Sequence, residues 1–196
     1  MMTKEKHTNK LIKDMGAVFT PVFYIFGFVA VASAVIVCGF GPGTIITGLF
    51  LVLLAACAAA DDNKGIVPDL LPILIAVLAL VKFFISNISI HSIISCLTGA
   101  IVISLPMLLV ALFVNKGFGG GDIKMMAAAG LFLGLDKTII AGLIAFLIAG
   151  GYSLLTLLTK KKGVKSKVKL APYLALGCAF SELFGSVFLE LLHMSL

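Results

Sequence analysis

The acidic residues of this chain are few, and two of the places they occupy could do chemistry. Asp61 and Asp62 close one apolar run, in Asp61-Asp62-Asn63-Lys64-Gly65-Ile66-Val67-Pro68-Asp69. Asp122 opens another, in Gly119-Gly120-Gly121-Asp122-Ile123-Lys124. Carboxylates at the edge of a hydrocarbon layer are costly, and so they mark functional candidates. Brought together, two of them would be the apparatus of aspartic proteolysis. Like charges held close share one proton, so one carboxylate acts as base on a water while the other, protonated, supports a carbonyl oxygen. That chemistry uses no bound metal and no covalent nucleophile, and no cofactor is expected. Spacing alone does not join Asp61 to Asp122. A plainer reading stays open, in which Asp61 and Asp62 are interfacial charges ending a helix and Asp122 is an N-cap, where Asp is favoured.

The elements that would have to position these acids follow from composition. Of 196 residues, 61% are hydrophobic and 12% charged, about half the ~25% charged fraction of soluble domains. A water-soluble globule of this size could not hide so much apolar surface. At ~20 apolar residues per spanning helix, the chain predicts an all-α polytopic membrane protein with about seven transmembrane helices. Residues 1–16 read as a basic cytosolic tail and 17–196 as a single transmembrane domain. The expected apolar runs are 17–40, 44–60, 66–85, 90–114, 123–135, 138–159 and 170–192. Ala32-Ser33-Ala34 resembles a signal-peptidase site, but apolar sequence continues to Phe40, which favours an uncleaved helix. Pro68 is expected near the start of the third span, Pro106 as a kink in the fourth, and Asp136-Lys137 as an outer turn.

All fifteen basic residues are lysines, and the net charge is +6. With the N-terminus cytosolic and seven alternating spans, thirteen lysines fall inside. Only Lys82 and Lys137 fall outside, a strong positive-inside bias. This excess reports orientation and contact with anionic lipid, above all at Lys160 to Lys169, and not nucleic-acid binding. The 123–135 run would reach only about 20 Å as a helix, against a hydrocarbon core of about 30 Å. Its start is therefore expected below the membrane surface, reached through the glycine segment, where irregular backbone survives only inside protein or an aqueous cavity. By the same orientation Asp61 and Asp122 lie on the cytosolic side.

The wording around the acids carries a resemblance. Gly119-Gly120-Gly121-Asp122-Ile123-Lys124 resembles the G-x-G-D-x-K signature of the type IV prepilin peptidases and preflagellin peptidases. Asp61, seven residues before Pro68-Asp69, resembles that family's other aspartate motif. Leu170-Ala171-Pro172-Tyr173-Leu174-Ala175-Leu176-Gly177 is similar to its F-G-P-x-L-A-x-G segment, with Ala171 where Gly is usual. The resemblance spans roughly residues 60–177. It implies Asp61 and Asp122 as the catalytic aspartates, and prepilin-like or preflagellin-like proteins with a short basic leader as substrates, cut at the cytosolic face of the plasma membrane. Asp61 is preferred to Asp62 because only Asp61 has the seven-residue spacing to Pro68. Gly119 and Gly121 suit unusual backbone angles and close approach. Lys124 reads as a lipid-phosphate ligand, a group biasing the carboxylate, or a snorkelling interfacial lysine. Asp62 and Asp69 are candidates to attract a basic leader.

Many such peptidases carry a large loop with two C-x-x-C pairs, associated with zinc and N-methylation. Cys38, Cys57, Cys96 and Cys178 form no such pair and read as small buried hydrophobes. Peptidase activity without methyl transfer, and no metal site, is therefore expected. Glu182 falls mid-span and is expected protonated and hydrogen-bonded to a neighbouring helix. His91 and His193 fall at outer helix ends. Two other readings compete: a small transporter moving ions or protons through intramembrane acids, and a presenilin-like protease, which shares G-x-G-D but pairs it with a tyrosine-aspartate motif not found at Asp61. The orientation is open to test with a reporter fused after Leu196, expected on the outer side. A cytosolic reporter would overturn the seven-span count.

Overall fold

The computed structural model describes residues 41–85, 89–113, 118–158 and 169–194. Within them lie seven helices and no strand: α1 (Pro42–Lys64), α2 (Leu70–Ile85), α3 (Ile90–Val102), α4 (Ser104–Phe113), α5 (Gly120–Leu133), α6 (Leu135–Leu158) and α7 (Ala171–Met194). Four stretches are long and apolar enough to cross a membrane: Gly43–Asp62, Ile90–Phe113, Leu135–Leu154 and Ala171–Glu190. Leu70–Ile85 is apolar but shorter. The expected 17–40 span and the basic tail lie outside the described residues, as do Cys38 and most of the six-lysine segment.

The helix boundaries have local causes. Pro42 starts α1 as its first helical residue, where its missing N–H costs nothing. Gly65, in the left-handed region at φ 65°, ends α1 and donates its N–H to the Asp61 carbonyl at 2.8 Å, the glycine stop that side chains with a Cβ resist. The run read as a span from residue 66 begins its helix only at Leu70, so Pro68 precedes the helix instead of opening it. The Ile66–Asp69 link is non-helical, in keeping with Val67, which as the residue before a proline disfavours helical angles. The 90–114 run is broken at Ile103, between α3 and α4. Pro106 removes the N–H that would have bonded the Val102 carbonyl, so the break falls upstream of the proline itself.

Asp136-Lys137 is not a turn. The break there is Gly134, at φ 77°, and both residues lie in the first turn of α6. Ser95 of α3 accepts the Leu135 N–H at 3.1 Å and so caps α6 from outside. Lys137 turns inward and meets Glu182 Oε2 at 2.9 Å, while Lys82 meets Oε1 at 3.1 Å. Glu182 is therefore hydrogen-bonded to neighbouring helices, as expected, and its partners include two lysines, from α2 and α6. Those are the two lysines that fell on the outer side in the sequence reading.

The central element is α5. Its 14 residues reach about 21 Å, and it packs against α2, α3, α4, α6 and α7. It is buried nearly all round, by Met125, Met126, Ala128, Ala129, Phe132 and Leu133, so it shows no amphipathic stripe. Small residues let its neighbours come to backbone contact: Gly130 faces the backbone of Gly99 and Ala100 on α3, and Gly177 of α7 faces Ala141 of α6. By contrast the Ile90–Phe113 stretch turns most of its surface outward, as a lipid-facing helix would. A methyl at Gly130 would overlap the Gly99 carbonyl group. Gly130→Ala is expected to cost about 1–3 kcal/mol by overpacking, read as a lowered thermal midpoint in detergent. Gly150→Ala, whose new methyl meets nothing, should leave the midpoint unchanged or raised.

Candidate active site

Asp61 sits in the last turn of α1, where the helix dipole disfavours negative charge. A different helix compensates. The Ala171 backbone N–H, at the first position of α7, donates to the Asp61 carboxyl. That N–H lacks an intrahelical partner by its position, and the N-terminal end of a helix dipole favours an anion. Asp61 is 7% exposed, and its Oδ2 has no hydrogen-bond partner among the described residues.

Asp122 is the third helical residue of α5, with Gly119 as N-cap. The Gly119 N–H donates to the Asp122 carboxyl, and the Asp122 N–H donates back to the Gly119 carbonyl at 3.1 Å. The carboxylate thus makes the return half of a capping box. Asp122 is 8% exposed. The N-cap reading of this residue is corrected by three positions: Gly119 is the cap, and Asp122 reaches back to it.

The two carboxyls, from distant parts of the chain, lie within each other's electrostatic reach. The Cys57 thiol, one turn before Asp61 on the same face of α1, is also beside Asp122. Both acids are held at the N-terminal ends of helices, at one end of the bundle.

The glycines of the motif have separable roles. A Cβ on Gly119 would stand 3.1 Å from Asp122 Oδ2, so a side chain there would press on the carboxylate. A Cβ on Gly121 would stand 2.9 Å from the Val67 Cβ and 3.2 Å from the Val67 carbonyl. Gly121 therefore lets the α1–α2 link lie directly on the start of α5, which brings the Asp61 segment to the Asp122 segment. Gly120, between them, faces open space.

The flanking charges are paired. Lys124 Nζ meets both Asp69 oxygens at 2.8 Å, with both side chains more than half exposed. Lys169 meets Asp62 Oδ1 at 3.1 Å and also donates to the Asp62 carbonyl. The acids singled out as free attractors of a basic segment thus each already hold a lysine, and Lys124 is engaged with Asp69. Pro68 is exposed and contributes its carbonyl to the Leu71 N–H at 3.1 Å, at the entry to α2.

Four contributors were not singled out from sequence: Val67, Lys169, Cys57 and Tyr173. Tyr173 lies beside Asp62, with its ring 5.7 Å from that of Tyr152. Val67 and Tyr173 stand inside the quoted motifs and Lys169 closes the six-lysine segment, but nothing local marks any of them as a neighbour of the acids. Among the described residues no group of three or more His, Cys, Asp or Glu side chains gathers as metal ligands would.

Comparison with known proteins bears on this arrangement. Over 137 residues the chain is 28% identical to the prepilin leader peptidase/N-methyltransferase of Bacillus subtilis (strain 168), covering 70% of this chain and 54% of that protein. The chain spans about half the length of that curated relative. No solved structure matches it. A sequence profile described as the type IV leader peptidase family matches residues 48–154, more than half of the chain and a stretch that contains both Asp61 and Asp122. The chain belongs to the type IV leader peptidase family.

Proposed function

We propose that Asp61 and Asp122 are the catalytic pair of an aspartic endopeptidase that removes the short basic leader of prepilin-like or preflagellin-like proteins at the cytosolic face of the plasma membrane. The observation that carries this reading is that two buried carboxyls lie within electrostatic reach of each other at one end of an apolar bundle. The family membership supplies the reaction class. In this reading residues 17–196 form one domain of seven spans, with residues 1–16 in the cytosol. The proposal is confined to the peptidase step, since the four cysteines include no C-x-x-C pair.

The pair holds one proton between its two carboxyls. The ionised member takes a proton from water, and the oxygen of that water bonds to the scissile carbonyl carbon. The protonated member donates a hydrogen bond to the carbonyl oxygen as negative charge develops on it. On collapse the C–N bond breaks, and the departing nitrogen takes the proton that the base had accepted. The Ala171 and Gly119 N–H groups orient the two carboxyls, so that neither must be arranged at the moment of reaction.

The transporter reading is not favoured by any observation. Glu182, the acid that could have extended a relay across the bilayer, is committed to Lys82 and Lys137.

Exposed ion pairs such as Lys124–Asp69 contribute about 0.2–1 kcal/mol. A leader lysine can therefore exchange with Lys124 at little cost, and Asp69 and Asp62 remain usable as attractors although paired. Coexpression with a candidate prepilin, read as a mobility shift on leader removal, tests the dyad. Asp61→Ala and Asp122→Ala should each lower cleavage by about 100-fold or more, while Asp62→Ala keeps much of it. Cleavage surviving in either of the first two variants would refute the pair. Reversing the charge with Asp69→Lys should weaken cleavage of a fully basic leader more than of a leader with fewer basic residues. Equal loss on both would remove Asp69 from substrate attraction.

A further inference from the structure

At the other end of the bundle, Glu182 of α7 gathers Lys82 of α2 and Lys137 of α6. Glu182 is 6% exposed in its side chain. Thr47 of α1 also donates to its Oε1 at 3.3 Å, so both carboxylate oxygens are in use. Lys82 gives another hydrogen bond to the Phe132 carbonyl at 3.2 Å and lies 3.9 Å from the centre of the Phe132 ring. These neutral acceptors satisfy hydrogen bonds but cancel no charge. Among the described residues the titratable groups acting on Lys82 are Glu182, Lys137 and the Cys96 thiol, so with the thiol neutral and both lysines protonated the cluster holds two positive charges against one negative. An uncompensated charge in an apolar bundle is costly.

A cavity of about 270 Å³ opens beside this cluster, lined by Lys82, Thr44, Thr47, Gly43, Ile46 and Ile85, with Gly41 at its edge. It is smaller than the ~300–1,000 Å³ of pockets that enclose whole drug-sized ligands, and it suits a headgroup-sized anion. Its polar wall is an ammonium and two threonines, and its apolar wall is two isoleucines. The first turn of α1 forms part of the rim, with its Thr44 N–H already bonded to the Gly41 carbonyl at 3.0 Å and no acidic residue in it, so the positive end of the helix dipole faces the cavity rim. Thr47 is 14 residues from Asp61 along α1, about 21 Å, so this cavity is separate from the aspartate pair.

We propose that the cavity beside Lys82 binds a phosphate-ester anion, whose negative charge balances the Lys82–Glu182–Lys137 cluster. Basic pockets between transmembrane helices recognise lipid headgroups in this way, and the isoleucine wall would lie along the glycerol or acyl portion of a lipid. The inference does not depend on the peptidase reading.

The test uses the full chain in nanodiscs of phosphatidylcholine alone or with phosphatidylglycerol, and in phosphatidylcholine with added inorganic phosphate, measuring the thermal unfolding midpoint. Phosphatidylglycerol is expected to raise the midpoint. A rise with phosphatidylglycerol only identifies a lipid headgroup as the source, and an equal rise with inorganic phosphate identifies a soluble phosphate. Lys82→Gln leaves Glu182 and Lys137 as a balanced pair, so the protein should fold and lose at least half of the rise. Gly43 has open space at its Cβ position. Gly43→Asp would place a carboxylate at the cavity rim in the first turn of α1, where an acid is favoured. It should raise the midpoint in phosphatidylcholine and remove most of the further rise. No rise with either probe, or a full rise retained in both variants, would overturn the site.

Discussion

A carboxylate buried among apolar helices must find hydrogen-bond donors, and in such a bundle the spare ones are the backbone N–H groups at helix N-termini. Both Asp61 and Asp122 obey this constraint, and much of the surrounding architecture follows from it. Asp122 uses the N–H of its own cap, Gly119. Asp61 lies at the wrong end of its own helix and depends on Ala171 at the start of α7. To serve both acids, the starts of α5 and α7 and the end of α1 have to meet at one place. The three sequence motifs are those three helix ends.

That meeting is possible because α5 is short and slim. A helix of about 21 Å is shorter than the hydrocarbon core, and it is set among five other helices that pack against it. Gly130 and the alanines before it let α3 approach to backbone contact, and Gly121 does the same for the Val67 link. The scaffold therefore relies on close backbone packing where a soluble core would rely on large side chains. This is expected where lipid offers no hydrophobic drive for helices to associate.

Charge divides the molecule into two ends. At one, the proposed catalytic pair is bordered by exposed, exchangeable pairs, Lys124–Asp69 and Lys169–Asp62. At the other, Glu182 holds two lysines inside the bundle and joins α1, α2, α6 and α7, with the Phe132 carbonyl adding α5. Ion pairs of the first kind break easily in water. Those of the second kind leave a buried charge when broken and so hold the helices firmly in register.

The sequence by itself determined the membrane-helical class, the candidate acids and the glycines beside them. Composition and spacing are local properties, and the cost of putting charge in hydrocarbon makes each acid conspicuous. It also anticipated that the 123–135 run would be too short and would need shelter. The partners of the charges were not legible. Lys82 and Lys137 looked like outer-side charges, Asp136-Lys137 looked like a turn, and the lysines that Asp62 and Asp69 hold could not be named, because an ion pair joins residues 45 to 107 positions apart and leaves no periodicity in the chain. Gly134 was passed over as the true break for a similar reason: the side chain that would press on a Cβ there and that accepts the next N–H is Ser95, from another helix. Tertiary structure alone decided that Asp61 and Asp122 lie within electrostatic reach of each other, because that placement depends on the absence of a side chain at Gly121 and on the start of α7 at Ala171, both of them properties of packing between helices.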